Sequence, residues 1–218
     1  MCGRFALLLP PDAMAGLFQA VPGNDLPPVP NYNICPTTQI HVVRHDGDAR
    51  RLGAMRWGFI PHWYKKANGG PLLINARAET LADKPAFRAA ARDRRCLIPA
   101  SGFYEWSKGE NDARLPWYIT RRDRAPLVFA GIWQNWGDDA APTCAIVTTG
   151  AGPPISAIHH RVPVVLEPDD WALWLGERGK GAARLMRPPA DDVLEFWRVS
   201  PRVNSNRAQG VGLIEPVP

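Results

Sequence analysis

The 218-residue chain carries 26 Lys and Arg against 21 Asp and Glu, a formal charge of +5, and 45% of its residues are hydrophobic. That balance excludes a mostly disordered chain, and the length holds one substantial core without requiring a second domain. With 19 Gly and 23 Pro, about a fifth of all positions, a plain helical bundle is excluded in favour of a turn-rich architecture.

Taken in chain order, RFALLL at 4–9 predicts a strand and PDAMAGLFQA at 11–20 a short helix, with Pro early and Asp12 near its start. The Pro-rich stretch 21–36 reads as coil crossing the surface. IHVVRH at 40–45 and RRLGAMRWG at 50–58 flank a DGD turn and predict a hairpin. Residues 76–93 offer two short helices broken near Pro85. Strands follow at 95–100, 102–108, 115–120, 126–134 and 144–150. A helix at 168–176 and a strand at 193–200 complete the series. The succession predicts an α+β fold, mostly antiparallel, with a curved or barrel-like sheet and short helices in a single domain spanning 1–218.

No stretch approaches the ~18 consecutive apolar residues of a membrane span, and PPDA interrupts the only early apolar run, so the expected location is the cytoplasm and no membrane partner is expected. A modest positive charge attracts polyanions without committing the protein to one. Cys2, Cys35, Cys96 and Cys144 are widely separated, with no CxxC pair. Their spacing points to neither a metal site nor a disulfide framework, and no cofactor is expected. The apolar neighbours of Cys35, Cys96 and Cys144 mark these three as structural thiols.

Cys2 differs. Removal of Met1 would make it the N-terminal residue, with an amine (ordinary pKa about 7.7–8.0) and a thiol (about 8.5) on adjacent carbons. Such a pair suits an aldehyde: the amine forms an imine, and the thiolate closes a five-membered thiazolidine. The competing reading is a chance Met-Cys start with the thiol tucked under a strand.

Three other segments carry polar groups in apolar surroundings. LINARAET at 73–80 sets Asn75, Arg77 and Glu79 behind an apolar run, although an Asn at a strand end is more often a turn former. In GFYEWSK, alternation puts Phe103, Glu105 and Ser107 on one face and Tyr104 and Trp106 on the other. An apolar setting would raise the Glu105 pKa towards acid–base work, whereas an edge strand would leave it solvated. AIHHRVP brings His159, His160 and Arg161 ahead of an apolar strand.

Together with MCGRF, YNICPT at 32–37, RWGFIPHW at 56–63, RRCLIPASGFYEW at 94–106, TTGA at 148–151 and VNSNR near the end, these segments resemble the SOS-response-associated peptidase (SRAP) family, whose members shield abasic sites in single-stranded DNA. The resemblance implies an autopeptidase that removes Met1 and crosslinks Cys2 to the ring-opened abasic sugar as a slowly reversible thiazolidine. It implies catalytic roles for Cys2, Asn75, Glu105 and His159, or His160 if the register shifts by one. Arg4 and Arg77, supported by Arg161, would bind phosphates. Thr149 and Gly150 join the DNA-binding set, and Trp57 and Trp63, near Lys65 and Lys66, offer a wall for the strand channel, although for Trp57 a place in the core is the stronger reading. The implied partner is single-stranded DNA containing abasic sites, bound by a monomer associated with the nucleoid. Val162 stands where the family's histidine motif carries methionine, a change that affects packing. Alternatives are an N-terminal-nucleophile amidotransferase, against which Arg4 and Phe5 directly after Gly3 argue, a protease acting on other proteins, and a non-catalytic single-strand binder.

Overall fold

A computed structural model describes residues 2–217. The chain opens with β1 (Phe5–Leu7), α1 (Pro11–Phe18) and β2 (Ala20–Pro22), then β3 (Asn31–Ile34) and the hairpin of β4 (Gln39–His45) and β5 (Arg50–Trp57). β6 (Asn75–Arg77) runs into a single 3-10 turn at Ala78–Thr80, followed by α2 (Arg88–Asp93). Five longer strands come next: β7 (Arg95–Ala100), β8 (Gly102–Lys108), β9 (Arg114–Arg121), β10 (Leu127–Trp136) and β11 (Ala141–Gly150). Short β12 (Arg161–Pro163), α3 (Pro168–Leu175) and β13 (Leu194–Arg198) follow.

The expected α+β architecture is present. One sheet has the order β12-β11-β10-β7-β4-β5-β2, and a further β5–β11 pairing closes β4, β5, β7, β10 and β11 into a ring. Neighbours in it are antiparallel except where β11 runs parallel to β5 and β6 and where β2 runs parallel to β5. A second sheet, β13-β9-β8-β1-β3, packs beside it. The stretch 21–36, expected as coil, instead supplies the end of β2 and all of β3. β3 pairs with β1 through Phe5–Ile34 and Leu7–Asn31, a long-range partner that local composition does not encode.

The chain crosses between the sheets at Ser101. Its N–H donates to Ala6 O at 2.7 Å, its hydroxyl accepts from Leu8 N–H at 2.9 Å, and its carbonyl accepts from the Thr120 hydroxyl at 2.7 Å. The next residue has to be glycine, since a Cβ on Gly102 would lie 2.3 Å from the Tyr118 ring. This corner therefore fixes β8 against β1.

Both faces of β8 are covered, which explains the run GFYEW. Phe103 points into the main core and meets Phe129 edge-on at 5.8 Å, beside Phe5, which meets Trp57 edge-on at 5.2 Å. Tyr104 points the other way into a smaller cluster with Ala6, Tyr118, Val199, Val203 and Leu213, so the C-terminal segment forms a lid over the outer face of the second sheet. Glu105 follows on the Phe103 side and is 2% exposed.

Candidate active site

Cys2, directly ahead of β1, is buried among core residues, and antiparallel pairing of β1 with β8 brings Glu105 to the same level. β6 enters from the other sheet. Its pairing with β11, Asn75 opposite Ile146, carries the Asn75 amide to the Cys2 carbonyl, where Nδ2 donates at 2.9 Å. His159 comes from the turn before β12, and its Nδ1 lies 3.9 Å from Glu105 Oε1. Four segments far apart in sequence thus meet at the junction of the two sheets.

Beside them opens a cavity of about 510 Å3 whose lining includes Gly3, Arg4, Glu105, Trp106, Arg114 and His159. Burial pushes the Glu105 carboxyl up to about 7 and drives the Cys2 thiol well above its ordinary value, with the neighbouring Glu105 charge adding to the latter. Burial lowers the His159 pKa, favouring the neutral ring. Its Nδ1 lies 3.0 Å from the Arg161 main-chain N–H and 3.2 Å from the Arg161 carbonyl, so it accepts from the first when the proton is on Nε2 and donates to the second when the proton is on Nδ1. The arrangement offers a carboxyl able to exchange a proton near neutrality, an imidazole donor and a fixed main-chain carbonyl. His160 is exposed and stacks on His159 with centroids 4.4 Å apart, whereas His159 lines the cavity.

The remaining expected residues divide. Arg4 borders the cavity, but its Nη1 is engaged by Asn33 Oδ1 at 2.6 Å and Val203 O at 2.8 Å. Arg77, at the end of β6, is exposed, as is Gly150 at the end of β11, while Thr149 is buried. Arg161 does not present a free cation to a phosphate. It is 8% exposed, forks onto both oxygens of Glu79 at 2.7 and 2.9 Å, and donates to Thr148 O at 2.6 Å. That fork holds the Glu79 carboxyl down at about 2 and ties the 3-10 turn after Asn75 to the strand after His159.

Trp57 does not wall a strand channel either. It is fully buried in the core with Nε1 donating to Ile74 O at 3.0 Å, because β5 is closed on both sides by β4 and β11. Trp63 of the same stretch is 48% exposed and belongs to an exposed loop with Lys65 and Lys66. Cys96 and Cys144 are buried as expected, whereas Cys35 is only half-buried.

Two contributors escaped sequence reasoning. Asn33 is 3% exposed and binds Arg4 while its amide donates to Ser205 O and Ala208 O, clamping the cavity wall to the C-terminal lid. The paired segments YNICPT and VNSNR held that signal, but nothing local says that they touch. Arg114 lies 5.0 Å over the Trp106 ring, whose Nε1 donates to Asn204 Oδ1 at 2.7 Å. No spacing in the sequence marks that stack.

The family model for SOS response associated peptidase (SRAP) matches residues 1–206. The abasic site processing protein YoaM of Bacillus subtilis is 36% identical over 99% of this chain and 98% of its own length. The abasic site processing protein YedK of Escherichia coli is 32% identical over the full length of both. A solved structure of a protein from Bacteroides thetaiotaomicron superposes with a TM-score of 0.86 over 99% of this chain and all of that one, at 21% identity, a likeness of fold alone. With near-complete coverage by relatives above 30% identity and a family match that takes in Cys2, Asn75, Glu105 and His159, the chain belongs to the SRAP family.

Proposed function

We propose that the protein senses and shields abasic sites in single-stranded DNA by forming a covalent bond through Cys2. The observation that carries this reading is the convergence of Asn75, Glu105 and His159 on Cys2 beside an open cavity. Relatives along the whole chain bear the name abasic site processing protein. Met1, which lies outside the described residues, is first removed by hydrolysis of the Met1–Cys2 peptide bond, freeing the Cys2 amine.

The chemistry then balances without a cofactor. The Cys2 amine adds to C1′ of the ring-opened abasic sugar, and loss of water gives an imine. Glu105 as the acid donates the proton that lets the hydroxyl leave. The Cys2 sulfur attacks the imine carbon, its proton passing to the nitrogen, and closes the thiazolidine. Running these steps backwards with water releases the aldehyde slowly. A carboxyl with a pKa near 7 is half protonated at neutral pH and serves in both directions. Asn75 orients the residue that carries the nucleophile, and His159 donates from Nε2 to the sugar oxygen or adjacent phosphate. Arg4 beside the cavity and Arg77 on the surface contact phosphates. Thr149 and Gly150 border the same path, with Arg161 acting through the Glu79 fork rather than on DNA. An abasic site has no base to read, so sequence independence follows.

The test is incubation of Met1-free protein with an oligonucleotide containing one abasic site, followed by a denaturing gel. A heat-stable adduct that is absent in Cys2→Ala is expected. Hydrolysis of glutamine, cleavage of unrelated proteins, or equal binding of undamaged strands with no adduct would each favour a rival activity and overturn this one.

A further inference from the structure

A second cleft, of about 720 Å3, lies between the C-terminal ends of α2 and α3, and none of its lining residues also lines the cavity beside Glu105. Its walls are held apart by Arg95. From the start of β7 this half-buried guanidinium donates to the carbonyls of Ala91 and Arg92 at the end of α2, and to that of Trp174 in the last turn of α3. One cation therefore satisfies exposed carbonyls of two helix ends at once and fixes their separation. Beyond α3 the chain turns at Gly176 (φ 87°), and Glu177 forks onto Arg50 at 2.8 Å for both oxygens. The loop then returns through Gly179 and Gly181 to a 3-10 turn at Ala182–Leu185, which forms the remaining wall.

The lining divides by chemistry. Ala91, Leu175, Ala182 and Met186 make an aliphatic floor, while Arg88, Arg92 and Lys180 stand exposed on the rim, with His45 and a single carboxylate, Asp93. Among the described residues, no carboxylate forms an ion pair with Arg88, Arg92 or Lys180. Three exposed cations around an apolar floor are complementary to a negatively charged ligand that also carries an apolar group. Apart from the half-buried His45 imidazole, the lining holds a single aromatic ring, Trp174, which is 1% exposed and whose Nε1 donates to Cys96 O at 2.9 Å. Grooves for single-stranded nucleic acid combine cations with exposed rings on which bases stack. This cleft has the cations and lacks the rings.

We propose that this cleft docks an acidic peptide segment of a partner protein, with its carboxylates on Arg88, Arg92 and Lys180 and an aliphatic or aromatic side chain against the floor. Because the two cavities share no lining residue, the partner can be held while the cavity beside Glu105 is occupied. The cleft thus links a protein partner to DNA chemistry elsewhere on the molecule. Exposed ion pairs contribute little each, so the apolar anchor supplies most of the affinity, and the charges supply selectivity and salt dependence.

The probe is a fluorescein-labelled octapeptide of aspartate and glutamate ending in leucine and phenylalanine, titrated with the full chain by fluorescence anisotropy. A Kd of about 1–100 µM that weakens with salt is expected, with at least about tenfold loss in the double variant Arg92→Glu, Lys180→Glu. Ala183→Trp, which fills the cleft from an exposed position, should abolish binding in a protein whose circular dichroism and melting temperature are unchanged. Equal binding of a peptide ending in two serines would overturn the proposal, because the floor would then play no part. So would a double variant that keeps the peptide and loses a labelled oligothymidine, which would make the cleft part of the DNA path. None of these readouts depends on Cys2, so failure here leaves the crosslinking reading standing, and the reverse.

Discussion

The Asn75 side chain donates to the main-chain carbonyl of Cys2 at 2.9 Å, so the first residue of β6 grips the second residue of the chain across 73 positions. The bond reaches from one sheet to the other, because β6 belongs to the ring through β11 while Cys2 leads into β1 of the second sheet. Asn75→Ala removes the donor and leaves a buried carbonyl without its partner, a cost of about 1–3 kcal/mol. Adduct formation should slow at least about tenfold while binding of undamaged single strands is unchanged. Time courses on denaturing gels, with anisotropy for binding, check this; a wild-type rate would remove Asn75 from the reaction.

Glu105 supplies a pH prediction of definite sign. Burial raises its pKa from 4.5 to about 7, so the folded protein binds this proton more tightly than the unfolded chain does. The stability it contributes is full below about pH 4.5 and is lost as pH rises through about 7, on the order of 3 kcal/mol in all. Glu105→Gln stays uncharged and should not lose it. Urea melts of both proteins from pH 5 to pH 8 should therefore diverge, with the wild type falling relative to the variant. The rate of adduct formation should inflect near pH 7 in the wild type, whereas Glu105→Gln should retain Met1 in the intact mass and form no adduct or, once Met1 is off, form it without that inflection.

Arg161 and Glu79 act on His159 through geometry. Glu79→Ala strands a guanidinium that is 8% exposed, and it frees the strand whose Arg161 N–H holds His159 Nδ1. Because the Glu79 side chain is half-exposed, the stability loss should be modest, about 1–2 kcal/mol, or a Tm lower by about 2–8 °C. Adduct formation should slow by more than the stability loss explains, and Glu79→Asp should recover part of it. If Glu79→Ala lowers Tm and leaves the rate untouched, the fork is structural only.

Two variants separate the core from the proposed DNA surface. Trp57→Phe shortens a fully buried side chain and deletes its bond to Ile74 O, costing about 1–3 kcal/mol of stability with no change in DNA affinity at a temperature where the protein is folded. Arg77→Ala removes an exposed cation at the end of β6 and should do the opposite: unchanged Tm, weaker binding, and a salt slope for single strands shallower by about 0.7. Weakened binding by Trp57→Phe at full folding would return that ring to the DNA surface.

Much of the fold is legible locally. The strands from 95 to 150 are long, rich in β-branched and aromatic residues, and bounded by turns, so their periodicity survives in any context. β3 was not legible, since NYNI is four residues among prolines and becomes a strand only because β1 accepts it. Trp57 had two readings, core and strand channel, and the choice between them rests on a related cause. It lies close in sequence to an exposed Trp and two lysines, but strand closure by β4 and β11 buries it.

The sequence alone determined which residue types were available: a cysteine at the second position, a carboxyl embedded in an aromatic strand, an Asn after an apolar run, and histidines before a short strand. Those are properties of neighbouring residues and need no partner. The tertiary structure decided which of them meet. Only ring closure and the corner at Ser101 bring Asn75, Glu105 and His159 together with Cys2, leave His160 exposed, and spend Arg161 on Glu79. The physical reason is that pKa, hydrogen-bond partnership and exposure depend on what lies across a sheet, and pairing between distant strands is not written in either strand alone.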